Sequence, residues 1–345
     1  MLSSKPGSPT PSGFDLNQAQ LAQARSYSYR LFGQLYAEGL TAVLYPYVQK
    51  IPELAAVCPQ PYDPDVAAAS YHDLFQFNIF AYESFFLSDD GLMGGRKTAV
   101  VAQHISQRGY SLGASSTDAD HLGVEISFLA FLAAAEADAW EDSLPLEAKR
   151  LRAMQKTFLQ SHLLRWGVPC LLAIQEQADP LFAQLAALTV ALLLAHHEEF
   201  APPLSPPANF LPPTQNILAE DNIGFKEIVR HLITPAFSGI TLSRHTIGQI
   251  ARQLKLPRGF GNREQMLMNL MRTAVQYDAL PLLLSILKKT CHHWQNSYQH
   301  LSNTHPKAAP FIYPWQERAA FTEKMVAEPM ASSSIVERGI ETSPR

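Results

Sequence analysis

The feature that most limits how this chain can fold is its helical period. Apolar residues recur at three- and four-residue spacing almost throughout, and convincing strand alternation is scarce, so the 345 residues predict an all-α protein. The helix starts are marked by their own chemistry. Asp15 is placed to cap a segment running through Tyr36, with Gln18 at the matching capping-box position. Asp63-Pro64 opens a stretch towards Phe80, because proline at the first helical position gives up only a donor that would be unpaired anyway. Gly94-Gly95 punctuates before a shorter helix, Lys97 to Gln107. Asp118 or Asp120 is placed to cap a long helix through Glu136. Pro145 starts another, reaching about Leu164, and Asp179-Pro180 begins an apolar helix ending near His197. Further on, Phe225 to Ile233, Ser243 to Leu254, Arg263 to Gln276 and Pro281 to Gln299 read as four helices, capped in part by Ser243 and Asn262.

One break stands out. Six prolines lie between Ala201 and Pro213, which neither a helix nor a central strand accommodates. The charge changes sign there: residues 1–210 hold 12 basic and 21 acidic groups, and residues 211–345 hold 15 and 10. These two signals predict a disordered N-terminus (1–14), a helical domain (15–200), a Pro-rich linker (201–220), a small basic helical domain (221–301) and a disordered tail (302–345). Cys58, Cys170 and Cys291 are odd in number and widely spaced, which predicts no disulfide framework and a reducing compartment. The Ser- and Pro-rich start has no apolar core of a secretory signal, and Leu181 to Ala195 is short for a bilayer span. The expectation is a cytoplasmic protein without a membrane span.

The densest polar cluster is Asp118, Asp120, His121 and Glu125. His121 and Glu125 stand four apart on one helix face and could pair. A metal site would need further ligands from His196-His197 or His292-His293, and adjacent histidines on a helix point about 100° apart, so structural roles are favoured. No phosphate loop, nucleophile elbow or HExxH motif occurs, which argues against catalysis, a metal or a bound cofactor. A helical metal-dependent hydrolase built on Asp118, Asp120, His121 and His196 or His197 stays as the enzyme-class alternative. Tyr71, Leu74, Phe75 and Phe77 share one side of their helix, with Tyr82, Phe85 and Phe86 following. Such a stripe is core or a groove for an apolar peptide helix, and core is favoured. Between Thr241 and Val275, six basic residues face one acid, Glu264, around a segment with a superficial helix-turn-helix look. A regulator with a DNA-binding C-terminal half is therefore a second alternative. The segment Pro257 to Gly261 is long for that motif's turn, so nucleic acid is not the favoured partner.

Taken in order, the motifs of the first 200 residues resemble the TorD/DmsD family of redox-enzyme maturation chaperones, related to the NarJ group. The matching segments are Tyr71-His72-Asp73-Leu74-Phe75, Glu83-Ser84-Phe85-Phe86-Leu87, Asp90-Gly91, Asp120-His121-Leu122-Gly123-Val124-Glu125 and His162-Leu163-Leu164-Arg165-Trp166. Where the family has a Gly-Pro turn after its Leu-Phe, this chain has Gln76-Phe77-Asn78. The resemblance implies an all-helical chaperone that turns nothing over and binds the precursor of a molybdenum-containing oxidoreductase. It would grip both the twin-arginine signal peptide and the mature part during cofactor insertion, before export. By matching positions, Asp120 and His121 are the implied binding residues, Tyr71, Leu74, Phe75 and Phe86 line the site, and Glu125 orients His121. Homodimer formation is left open.

Overall fold

The computed structural model describes residues 13–112, 118–201, 209–214, 217 and 224–327, and every regular element among them is helical. The main helices are α1 (Gly13–Glu38), α2 (Pro64–His72), α3 (Gly95–Ser106), α4 (Leu122–Glu141), α5 (Pro145–Ser161) and α6 (Leu163–Gln175). They continue with α7 (Pro180–Glu198), α8 (Phe225–Ile233), α9 (Arg244–Gln253), α10 (Arg263–Gln276), α11 (Leu280–Thr304) and α12 (Ala309–Ala327). The all-α expectation holds. Several expected caps hold as well: Asp179 accepts from the Phe182 N–H, Ser243 from Thr246, and Asn262 from Gln265 in a reciprocal capping box. The side chain of Asp15, read as the first cap, lies outside the described residues.

Contacts divide the chain into two units: 1–68 with 94–163, and 69–93 with 164–345. This division departs from a boundary in the Pro-rich stretch. It cuts through α2 and joins the C-terminal helices to segments from the first 200 residues.

In the first unit, α1 lies along α4, and α5 also packs on α4. The crossing of α1 and α4 is a backbone contact. A Cβ on Gly33 would sit 2.9 Å from the Gly123 carbonyl, and one on Gly123 would sit 2.7 Å from the Gly33 carbonyl. Only glycine permits that approach. The Ser26 hydroxyl donates to the Ala130 carbonyl (3.0 Å) and holds the register. On the α5 side, the fully buried Glu136 carboxylate accepts from Trp140 Nε1 (3.3 Å), Gln155 Nε2 (2.7 Å) and Arg152 (3.4 Å). A buried carboxylate survives there because donors converge on it.

In the second unit, α11 and α12 form an antiparallel pair, and α8 and α9 pack on α10. Trp315 of α12 is fully buried against Phe86, with its indole N–H donating to the Arg165 carbonyl of α6 (2.9 Å). Helix α12 occupies the stretch read as disordered tail. That expectation is corrected over 302–327, where Phe311, Ile312, Trp315, Ala319, Met325 and Val326 form a buried stripe at helical spacing. Polar, Pro-containing composition hid it. Residues 328–345 lie outside the described residues, as do 1–12 and most of the Pro-rich stretch. Helix α7 is 19 residues long and apolar enough to cross a membrane by length and composition, which the shorter run Leu181 to Ala195 did not indicate; 56% of it is buried. The three cysteines are buried.

Candidate functional site

The start of α4 concentrates the polar residues singled out by sequence. The expected cap, Asp118 or Asp120, is not the one used. His121 is the N-cap: its backbone is extended (φ −75°, ψ 140°), and Nδ1 accepts from the Gly123 N–H at 3.2 Å. That bond needs an unprotonated Nδ1. Burial supplies it by pushing the His121 pKa down to about 4, against a smaller opposing pull from Asp120. The neutral ring therefore carries its proton on Nε2. The same N–H that His121 caps belongs to Gly123, the residue α1 touches, so cap and helix crossing fix each other.

Asp120 is released from capping and reaches elsewhere. Its Oδ1 accepts from Thr98 Oγ1 of α3 at 2.8 Å, and the residue is fully buried. Glu125 is also fully buried, in the first turn of α4, where a carboxylate meets the positive end of the helix dipole. None of the three offers an exposed surface in this conformation.

Tyr71, Leu74, Phe75 and Phe86 fall in the other unit. After α2 the chain widens into a π-helical turn, Asp73–Asn78, which turns Leu74, Phe75 and Asn78 inward and leaves Phe77 exposed. Tyr71 and Phe75 meet with tilted rings at 5.0 Å, and both reach Phe182 of α7, at 6.1 and 5.2 Å. Phe86 is fully buried between Trp166 (5.8 Å) and Trp315 (6.4 Å). Most of the stripe is core. Asn78, at the place of the absent Gly-Pro turn, donates to the Asp73 carbonyl (2.8 Å) and accepts from the His245 N–H (2.8 Å), closing the turn and seating α9.

An opening of about 530 Å³ lies beside α3 in the first unit, lined by Ala102, Gln103, Ile105, Ser106, Tyr110 and Leu112 among others. Tyr110 packs on Phe128 and Phe131 of α4, each at 5.5 Å. The groove thus runs along the helix that Thr98 ties to Asp120. Sequence reading missed it, since Thr98 and Tyr110 carry no motif. It missed also the pair His104–His162, whose ring nitrogens lie 3.0 Å apart, with His104 held down at about 4 chiefly by burial.

The other histidines have local partners. His196 and His197 are buried against Phe200 and Phe311, and His293 Nε2 lies 2.8 Å from Glu176 on the surface. No group of three or more His, Cys, Asp or Glu side chains that could hold a metal occurs among the described residues.

Comparison with known proteins adds one finding. Residues 42–171 match the family model described as nitrate reductase delta subunit. That stretch is a little over a third of the chain, and it contains all seven residues implied as the binding site. Over it the chain is similar to a family of molybdoenzyme maturation chaperones. No curated protein and no solved structure matches.

Proposed function

We propose that this chain is a cytoplasmic maturation chaperone without turnover. It binds the apo form of a molybdoenzyme subunit and its twin-arginine signal peptide until the client's molybdenum cofactor is in place and export can follow. The observation that carries this reading is the similarity of residues 42–171, which include the Asp120–Glu125 segment, to the nitrate reductase delta subunit family. The physical fit supports it. A twin-arginine peptide joins a basic region to an apolar one, and residues 1–210 carry a net acidic charge that would steer the basic region in. The groove along α3 offers Tyr110 and Leu112 for apolar burial, with Gln103 and Ser106 for backbone hydrogen bonds.

In this proposal the buried Asp120 and His121 act by position. Asp120 holds α3 through Thr98, and His121 fixes the start of α4. Tyr71, Leu74, Phe75 and Phe86 keep the second unit's core in shape rather than touching the peptide.

Calorimetric titration of the full chain with a twin-arginine signal peptide tests the proposal. Thr98→Val and Tyr110→Ser each weaken binding by about tenfold, which is about 1.4 kcal/mol. Asp120→Asn keeps an acceptor for Thr98 and changes affinity little. Absence of any binding by the unaltered chain sinks the function; binding unaffected by Thr98→Val and Tyr110→Ser sinks the groove as its seat.

A further inference from the structure

The connection between α9 and α10 is built in an unusual way for a loop with no assigned role. Helix α9 ends on Lys255 in the left-handed region (φ 57°), with the Leu256 N–H donating back to the Ala251 carbonyl (2.9 Å). Pro257 follows. Gly259 and Gly261 then take positive φ (70° and 112°), and a Cβ on Gly261 would collide with the Gln265 carboxamide that closes the α10 capping box. Phe260 is held between these two glycines and is 94% exposed, the most exposed large apolar side chain among the described residues. A loop fixed at both ends by caps is presenting that ring, since nothing folds it back.

Three cations lie close to it in sequence. Arg252, Lys255 and Arg258 are all exposed, and Arg258 lies across Gly248 on the α9 side. Arg263 does not join them: it is half-buried, its guanidinium lying 5.6 and 4.8 Å from the rings of Phe80 and Phe85, with desolvation pulling its pKa down to about 10. The first turn of α10 therefore exposes Glu264 and no free cation, which removes the chemistry a recognition helix would need. A single-stranded nucleic acid wants successive aromatic platforms, and this loop exposes one ring. A peptide wants a concave apolar wall, and the neighbours of Phe260 are two glycines. A planar anionic surface asks only for a projecting apolar tip with cations beside it.

We propose that the Lys255–Gly261 loop docks this protein reversibly on anionic phospholipid, with Phe260 entering the headgroup region and Arg252, Lys255 and Arg258 meeting lipid phosphates. Co-sedimentation of the full chain with vesicles of phosphatidylcholine containing about a quarter phosphatidylglycerol tests this. Binding is expected there and not on pure phosphatidylcholine, and it falls as salt rises. Phe260→Ser lowers the vesicle affinity by roughly tenfold or more, and Arg252→Gln and Arg258→Gln lower it about fivefold each. Leu146→Ser, at another highly exposed apolar position, leaves it unchanged. All these side chains are exposed, so circular dichroism should show the fold intact. Equal binding to both vesicle types, no binding to either, or a loss as large with Leu146→Ser overturns the proposal. Capture of single-stranded oligonucleotide that Phe260→Ser abolishes, without vesicle binding, also overturns it and reassigns the loop to nucleic acid.

Discussion

His121 shows how one buried side chain can serve the fold through its protonation state. Burial holds its imidazole, and that of His231, down at about 4, whereas an imidazole in the unfolded chain titrates near 6.5. As pH falls, the unfolded chain takes up protons first. Stabilisation from these rings is therefore complete above about 6.5 and is lost between there and about 4, on the order of 3 kcal/mol for each buried ring. Urea midpoints measured across that window should drop steeply. His121→Asn keeps a capping oxygen and should flatten the drop, and an unchanged slope would count against the role given to His121. Two neighbours make the site unforgiving. Gly123→Ala places a methyl against the Gly33 carbonyl and should cost about 1–3 kcal/mol. Glu136→Ala leaves Gln155 and Trp140 without their buried acceptor and should cost about 3 kcal/mol. Chemical denaturation of the single variants measures both.

At the level of the elements, the helices end by a device that their sequences disguise. Ser143, Lys255 and Asp278 all take the left-handed conformation at helix C-termini, where glycine is usual. In each case the next residue donates back to a carbonyl of the last turn: Leu144 to Ala139, Leu256 to Ala251 and Ala279 to Ala274. Ser143→Gly and Asp278→Gly should each raise stability by about 1 kcal/mol, read as a higher urea midpoint at constant slope. A lower midpoint would mean that the side chains contribute more than the backbone strain costs. The same elements show what period and composition reveal. Caps chosen by local chemistry, such as Asp179, Ser243 and Asn262, were legible because the bond runs to a residue three positions on. The start of α4 was not legible. Asp120, the better capping type, is drawn away by Thr98 across 22 residues of sequence, and His121 takes the cap instead.

Over the whole molecule, the second unit shares its core between distant segments. Phe86 and Trp166, from the stretch matching the family, are buried with Trp315 of α12. A chain shortened to residues 1–210 should therefore bind an apolar dye strongly and lose cooperative unfolding. A compact, cooperatively folding fragment would contradict the core described here. The sequence by itself determined the helical class, most helix starts and the segment that resembles a chaperone family, because each is written in local spacing and side-chain type. It could not determine which of those residues meet. Only the tertiary structure decided that Asp120 holds α3, that Glu125 and Phe86 are interior, and that the stretch after Ser302 is a helix. Those outcomes depend on contacts between separate segments, 22 residues apart for Thr98 and Asp120 and more than a hundred for Phe86 and Trp315, whose free energies no local pattern encodes.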